Sequence, residues 1–177
     1  MEPAWLGESW QRVERWLEER GSARSLAPAA TPADIARAEE QLGTGLHPDH
    51  ALLLLGHNGS GDFCLPPFYE ILSTDEVVTV WRSKTKVWGD GSPPAYAPSW
   101  IPFASDGAGG VLRLDVSRPQ ERIHEHDKLG ADHLSSHPMW ASLPALLHHT
   151  ADALETGRHL DGYRRPGDDS SFLLWED

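Results

Sequence analysis

Two apolar segments around a glycine cluster constrain the fold of this chain more than any other feature. In the stretch SWIPFASDGAGGVLRLDV, residues 99–116, the apolar side chains lie at 100–104 and 111–116, with three glycines between them. A short glycine-rich connection between two such segments is typical of a β-hairpin, because glycine adopts the positive φ that tight turns require. The stretch therefore predicts two adjacent strands.

The same glycines raise the alternative of a phosphate-binding loop. The dinucleotide fingerprint is Gly-x-Gly-x-x-Gly and leads into a helix, whose N-terminal amides meet the phosphates. Here the order is Gly-x-Gly-Gly over 107–110, and the strand-like VLRLDV follows. We therefore interpret the cluster as a turn in which the Asp106 side chain accepts hydrogen bonds from local amides.

Helical patterns lie on both sides of the hairpin. Capping signals support two of them, since Thr31 precedes a proline and Ser142 precedes an apolar helical face that ends at Gly157. The predicted helices are an amphipathic one with Leu6, Trp10, Val13 and Leu17, a second over Pro32–Leu42, a third that starts at Pro48 and buries Leu52, Leu53 and Leu55, a fourth from Ser73 to about Thr85, and the C-terminal one.

Two further apolar segments predict strands. Residues 63–72 contain a proline pair and predict an irregular or edge strand, and residues 121–127 predict another strand. Helices come first, strands follow and a helix closes the order, which indicates an α+β fold. The length of 177 residues fits one core, so we predict a single domain over 1–177.

The charge balance restricts the classes of partner. The 27 acidic and 15 basic residues give a net charge of −12, which repels phosphate backbones and anionic head groups. We therefore expect no nucleic-acid or membrane partner, while a basic protein would be steered toward the surface. Plain solubility is the alternative meaning of this charge. The single Cys64 and the lack of a secretory pattern at the start predict a cytoplasmic protein.

A histidine cluster raises the alternative of a metal site. His124 and His126 share a face if their segment is extended, and His133 and His137 share a face of a helical turn. This spacing lacks a strong motif such as His-Glu-x-x-His, so we prefer histidines on a solvated edge strand and loop. We also find no persuasive catalytic set, because a lone cysteine such as Cys64 is usually a small core residue. The sequence therefore predicts neither a cofactor nor an enzyme.

Four stretches in order resemble a known family. They are TPADIARAEEQLG, the helix end LLGHNGSGD, PPFYEILSTDEV, and WIPFASDGAGGVLRLDV with its aspartate-ending strand. Together they are similar to the SUKH superfamily, and within it to the Smi/Knr-like branch named after the fungal cell wall assembly regulator. The likeness covers about residues 31–157, with one departure at His47, where family members more often have an apolar residue.

The resemblance implies a mostly antiparallel central sheet flanked by N-terminal helices and a C-terminal helix. Residues 1–30 would then be an N-terminal helical extension and 158–177 a C-terminal tail. Many bacterial members resemble immunity proteins that bind and neutralise toxins, and the family offers no catalytic residues to carry over. The leading hypothesis is therefore an immunity protein whose partner is a toxin domain with a basic surface.

Two other hypotheses stay open: a housekeeping regulatory adaptor, and a metal-binding protein that uses the histidines of 124–137. For a protein partner, exposed aromatic and acidic side chains are the first candidates, because aromatic residues concentrate interface energy and carboxylates complement a basic surface. The candidate partner-binding residues are Asp62, Trp88, Asp90, Tyr96 and Asp106.

Overall fold

The computed structural model of the protein describes residues 3–22, 26–86, 96–118, 122–130, 132–134, 138–167 and 175–176. Within these ranges the helices are α1 (Pro3–Glu19), α2 (Pro32–Leu42), α3 (Pro48–Gly56), α4 (Thr74–Thr85) and α5 (Leu143–Thr156). The strands are β1 (Cys64–Leu65), β2 (Tyr69–Ile71), β3 (Trp100–Ser105), β4 (Val111–Asp115), β5 (His124–His126) and β6 (Asp132–Leu134), and a 3₁₀ turn spans Pro138–Ala141.

The six strands form one sheet in the order of the chain, and each neighbouring pair is antiparallel. The predicted hairpin is β3 and β4, in register from Trp100 opposite Asp115 to Ser105 opposite Val111, with an irregularity between Pro102 and Ala104. Helices pack around this single antiparallel sheet, so the α+β prediction is confirmed.

The turn between β3 and β4 has the conformation that the glycines predict. Gly107 and Gly109 have φ values of 69° and 108°, in the region that side chains disfavour. The Oδ1 atom of Asp106 accepts hydrogen bonds from the backbone N–H groups of Ala108 and Gly110, both at 2.8 Å. The glycine cluster is therefore a turn closed by the Asp106 carboxylate.

Two apolar clusters form the interior. The larger joins α1 and α5 to one face of the sheet and includes Trp10, Leu17 and Leu147. The smaller joins α2 and α4 to Ile101 of β3. Burying each large apolar side chain contributes about 1.5–3 kcal/mol, so α1 is a substantial part of the core.

For helix α3, the sequence pattern predicts the wrong set of buried side chains. Leu53 is buried as predicted, but Leu52 and Leu55 are 39% exposed and Leu54 is buried instead. His50, Leu53 and Leu54 follow the i, i+3, i+4 spacing of one helical face, and that face meets the core. His47 precedes this helix and accepts the N–H of Asp49 through Nδ1 at 3.2 Å, so its side chain caps α3.

Candidate functional site

Three turns of the sheet lie at the same end, because successive strands run in opposite directions. They are the β1–β2 turn at 66–68, the β3–β4 turn at 106–110 and the β5–β6 turn, described over 127–130. The last two turns are in contact, since a methyl group on the Cα of Gly109 would lie only 3.3 Å from the Cβ of Lys128. We call this end of the sheet the hairpin edge.

The hairpin edge combines carboxylates with exposed apolar side chains. Phe68 is 48% exposed and Leu129 is 86% exposed, the two largest values for bulky apolar residues in the described part of the chain. Asp127 shares the β5–β6 turn with Leu129, and Asp106 lies in the neighbouring β3–β4 turn. Lys84 of α4 donates a hydrogen bond to the Gly109 carbonyl at 2.5 Å. Burial lowers the pKa of Lys84, and the carboxylates of Asp106 and Asp127 oppose that shift. Apolar groups exposed within a charged rim are typical of protein-binding surfaces.

A cleft of about 250 Å³ adjoins the β1–β2 turn, and we call it the aromatic cleft. Its walls are chiefly aromatic and acidic: Phe68, Tyr69, Glu125, Trp140, Asp161 and Tyr163. The rings of Phe68 and Tyr69 stack with centroids 5.6 Å apart at an interplanar angle of 28°. The Trp140 carbonyl accepts the N–H of Ile123 at 3.0 Å, which holds the 3₁₀ turn beside β5.

Tyr69 and Glu125 form the floor of the aromatic cleft as a bonded pair. The Tyr69 hydroxyl donates to Glu125 Oε1 at 2.5 Å across the sheet. Burial, the bond to Glu125 and the nearby carboxylates of Asp106 and Asp127 raise the pKa of Tyr69 well above its ordinary value. Tyr69 therefore remains a neutral donor, and the negative charge of the cleft stays on the carboxylates.

The candidate partner-binding residues do not converge on one site. Asp106 lies in the hairpin edge, whereas Asp62 is exposed in the turn that precedes β1, at the other end of that strand. Tyr96 is only 1% exposed, because its ring packs in T-shaped contacts against Trp100 and His126 at 5.4 and 5.0 Å. Its side chain is thus part of the interior and presents no surface to a partner. Trp88 and Asp90 lie outside the described residues.

The expectation of histidines on an edge strand holds for the strand of His133 and is wrong for that of His124 and His126, because β6 is at the edge of the sheet and β5 is not. β5 lies between β4 and β6, so His124 and His126 are not on an edge strand, and both side chains are buried. His133 belongs to strand β6 instead of a helical turn, and its register partner is Glu125. Strand alternation explains the burial, since residues two apart point to the same face. His137 lies outside the described residues, and those that are described contain no cluster of three metal-type ligands.

Cys64 and Ser60 have structural environments. Burial, with Glu70 and Asp62 nearby, raises the pKa of the Cys64 thiol to about 11, which is opposite to the shift that activates a nucleophile. The Cys64 carbonyl accepts the indole N–H of Trp175 at 2.9 Å. The buried Ser60 hydroxyl accepts the N–H of Ile71 at 2.8 Å. Both residues stabilise the turns around β1 and β2.

Comparison with known families agrees with this architecture. A model of the SMI1 / KNR4 family (SUKH-1) matches residues 29–148, which is more than half of the chain. The chain belongs to this family. Membership supports a protein-binding domain, of the immunity type or of the regulator type. A search of curated proteins gives no match. All three turns of the hairpin edge lie inside the matched region, whereas Asp161 and Tyr163 of the aromatic cleft lie beyond it.

Sequence reasoning missed most residues of the hairpin edge and the aromatic cleft. Two local signals were available. The proline pair before Phe68 predicts a turn that carries an aromatic ring, and Asp127-Lys128-Leu129-Gly130 is a turn sequence with an apolar side chain inside it. No local signal connects these turns to Trp140 or Tyr163, because that contact depends on the tertiary fold.

No helix within the described ranges is long and apolar enough to cross a lipid bilayer.

Proposed function

We propose that this protein is a cytoplasmic, non-enzymatic immunity protein that neutralises a cognate toxin by covering part of its surface with the hairpin edge. The observation that carries the proposal is the hairpin edge itself, whose three turns hold the exposed Phe68 and Leu129 together with Asp106 and Asp127. Exposed apolar anchors provide affinity when buried, and surrounding carboxylates select a basic partner. Membership of the SUKH-1 family supports a protein-binding role.

The net charge of −12 supports a toxin with a basic surface. Opposite charges increase the rate of association, and salt screens this steering at distances beyond the Debye length, which is about 8 Å at physiological ionic strength. Association should therefore slow as the salt concentration rises, whereas dissociation should depend mainly on the apolar anchors.

Where the gene neighbourhood encodes a toxin domain, the test is co-expression with it, followed by measurement of growth rescue and of the dissociation constant. Phe68→Gln and Leu129→Gln together should weaken binding by at least about tenfold, because both remove apolar contact area. Leu52→Gln and Leu55→Gln together are the matched control, since these leucines are exposed on α3, away from the sheet turns. Absence of rescue and of binding by the unmodified protein would refute the immunity function.

A regulatory adaptor is the second candidate, because the matched family takes its description from SMI1 and KNR4, and the sequence resembles the branch named after the fungal cell wall assembly regulator. The same hairpin edge would then bind a housekeeping protein. The gene neighbourhood separates the two candidates: an adjacent toxin gene supports immunity, and its absence with a stable cellular partner supports the adaptor.

A further inference from the structure

The size of the aromatic cleft indicates what class of group it accepts. Its volume of about 250 Å³ lies below the roughly 300 Å³ at which pockets for drug-sized ligands begin. The cleft is also continuous with the hairpin edge, because Phe68 belongs to both. A single long side chain from a bound protein therefore fits it better than a free small molecule.

The walls of the cleft favour a cation. The faces of aromatic rings carry negative partial charge and attract ammonium and guanidinium groups. Glu125 and Asp161 add carboxylates, and Tyr69 occupies only one oxygen of Glu125. Among the described residues that line the cleft, none is a lysine or an arginine. An apolar side chain would remove water from the carboxylates without replacing its hydrogen bonds, which is unfavourable.

A tight backbone turn fixes the position of Asp161 in the lining of the aromatic cleft. Leu160 and Tyr163 exchange backbone hydrogen bonds of 2.7 and 3.0 Å, and the two residues between them have positive φ, 54° for Asp161 and 90° for Gly162. Asparagine and aspartate tolerate this conformation better than other side chains. The tight turn brings Asp161 and Tyr163 together into the lining of the cleft.

The protein already uses this kind of recognition inside its own fold. The Arg113 guanidinium lies 3.5 Å from the centre of the Trp100 ring, and that of Arg20 lies 3.9 Å from the centre of the Trp16 ring. At those two places the chain supplies both the ring and the cation. In the aromatic cleft it supplies rings and carboxylates on the lining, and arginine matches them best because its planar guanidinium stacks and binds carboxylates through two hydrogen bonds.

We propose that the aromatic cleft is a specificity pocket that receives one arginine side chain of the partner protein. This inference rests on the proposed function for its partner, but the pocket can be tested without the toxin. The probe is N-acetyl-arginine-methylamide, and its uncharged analogue N-acetyl-citrulline-methylamide is the matched ligand control.

The experiment is an NMR titration of the full chain that follows the Trp140 indole signal and the backbone amides of 68–69, 125 and 161–163. The arginine probe should produce saturable shifts confined to the cleft, and the citrulline probe should bind at least about tenfold more weakly. Glu125→Gln with Asp161→Asn should weaken the arginine probe by a similar factor. Both variants preserve the fold, because glutamine still accepts the Tyr69 hydroxyl and asparagine tolerates positive φ. Asp62→Asn is the control for loss of charge elsewhere.

Equal binding of the two probes, or shifts outside the cleft, would overturn the pocket. The two proposals fail separately. If the toxin binds and Glu125→Gln with Asp161→Asn leaves its dissociation constant unchanged, the arginine pocket is wrong and the immunity function stands. If the arginine probe binds in the cleft but no toxin is neutralised, the pocket stands and the immunity function is wrong.

Discussion

Two regions of the molecule place aromatic rings beside charged groups, and they use them differently. In the arginine cluster, formed by the residues of α1 and its C-terminal end, of α5 and of the segment after α5, the Trp16 ring lies 3.9 Å from the Arg20 guanidinium and 5.7 Å from that of Arg165. Arg12 forms ion pairs with Asp152 and, at 2.6 Å, with Glu155. In the aromatic cleft the carboxylates and rings line an open space.

The difference separates stabilisation from recognition. In the arginine cluster each cation meets a ring or carboxylate of the same chain, so these contacts contribute to folding and leave little to offer a partner. In the aromatic cleft the described lining contains rings and carboxylates but no lysine or arginine, and we propose that the partner supplies the cation. The following experiments test this division, in order of decreasing expected effect.

The largest expected difference concerns the aromatic rings themselves. Trp16 is buried and belongs to the larger core cluster, so Trp16→Ala should lower the free energy of unfolding by about 3–5 kcal/mol. Phe68 is 48% exposed, so Phe68→Ala should cost less than about 1 kcal/mol. Urea denaturation of both variants measures the two losses. Similar losses would show that Phe68 is a structural residue and would break the comparison.

His50 is a titratable side chain in the interior, and its contribution to stability is tested by lowering the pH. His50 is fully buried, and neither of its ring nitrogens has a hydrogen-bond partner in the part of the chain that the structure describes. Burial, with a smaller contribution from His47, lowers the pKa of His50 to about 3. The folded state therefore binds this proton less readily than the unfolded state, whose histidine pKa is about 6.5.

The free energy of unfolding is therefore unaffected by His50 above about pH 6.5. Below this pH it falls, because only the unfolded state binds the proton, and the fall continues as the pH decreases toward 3. We expect a loss of about 2 kcal/mol between pH 7 and pH 5 from this residue. His50→Leu should remove this part of the pH dependence, because leucine does not titrate. Unfolding free energies of both proteins across this pH range provide the measurement, and parallel curves would contradict the assignment.

Asp106 sharpens the comparison within the hairpin edge, because its carboxylate closes a turn and also carries charge. Asp106→Ala removes the acceptor of two backbone hydrogen bonds and should cost about 1–2 kcal/mol of unfolding free energy. Asp106→Asn keeps a side-chain oxygen as acceptor and should be nearly neutral. Thermal denaturation separates the variants. Equal destabilisation by both would mean that the charge, and not the acceptor, stabilises the turn.

The smallest expected effect is at Arg12. Its side chain and both carboxylates are partly exposed, so solvent screens the pairs, and Arg12→Ala should cost about 0.5–1 kcal/mol. The Arg12 guanidinium lowers the pKa of Glu155, so this contribution is present above the ordinary glutamate pKa of about 4.3 and is lost as the pH falls through the lowered value. The difference between wild type and variant should shrink in 1 M salt. If the difference in unfolding free energy between wild type and variant changes with neither salt nor acid, the apolar part of the arginine side chain stabilises the fold by packing instead.

Local features were predicted best from the sequence. Thr31 caps α2 through a reciprocal bond with Asp34, and Ser142 caps α5, because a capping signal depends on residues only two or three positions apart. The β3–β4 hairpin was equally clear, since the glycines and Asp106 act within one turn. The SUKH-1 assignment followed from the order of such local segments and is confirmed by the family match.

Predictions of which side chains are buried, and of which elements they contact, were less successful. Four consecutive leucines in α3 are compatible with any buried face, and only contact with neighbouring elements selects Leu53 and Leu54. Tyr96 adjoins a stretch with loop composition, yet its ring packs on Trp100, which begins the next strand, and on His126 of β5, far along the chain. The metal-site alternative required His133 in a helical turn, but pairing with β5 makes it part of a strand.

The sequence by itself determined the helices, the central hairpin, the negative charge and the family, because these depend on neighbouring residues and on composition. Only the tertiary structure decided which side chains form the hairpin edge and the aromatic cleft. The aromatic cleft takes residues from 68–69, 125, 140 and 161–163, which meet because the antiparallel sheet and the return of the chain after α5 bring them to one place. Such a surface has no local signature, since side chains far apart in the chain become neighbours only when the core has packed.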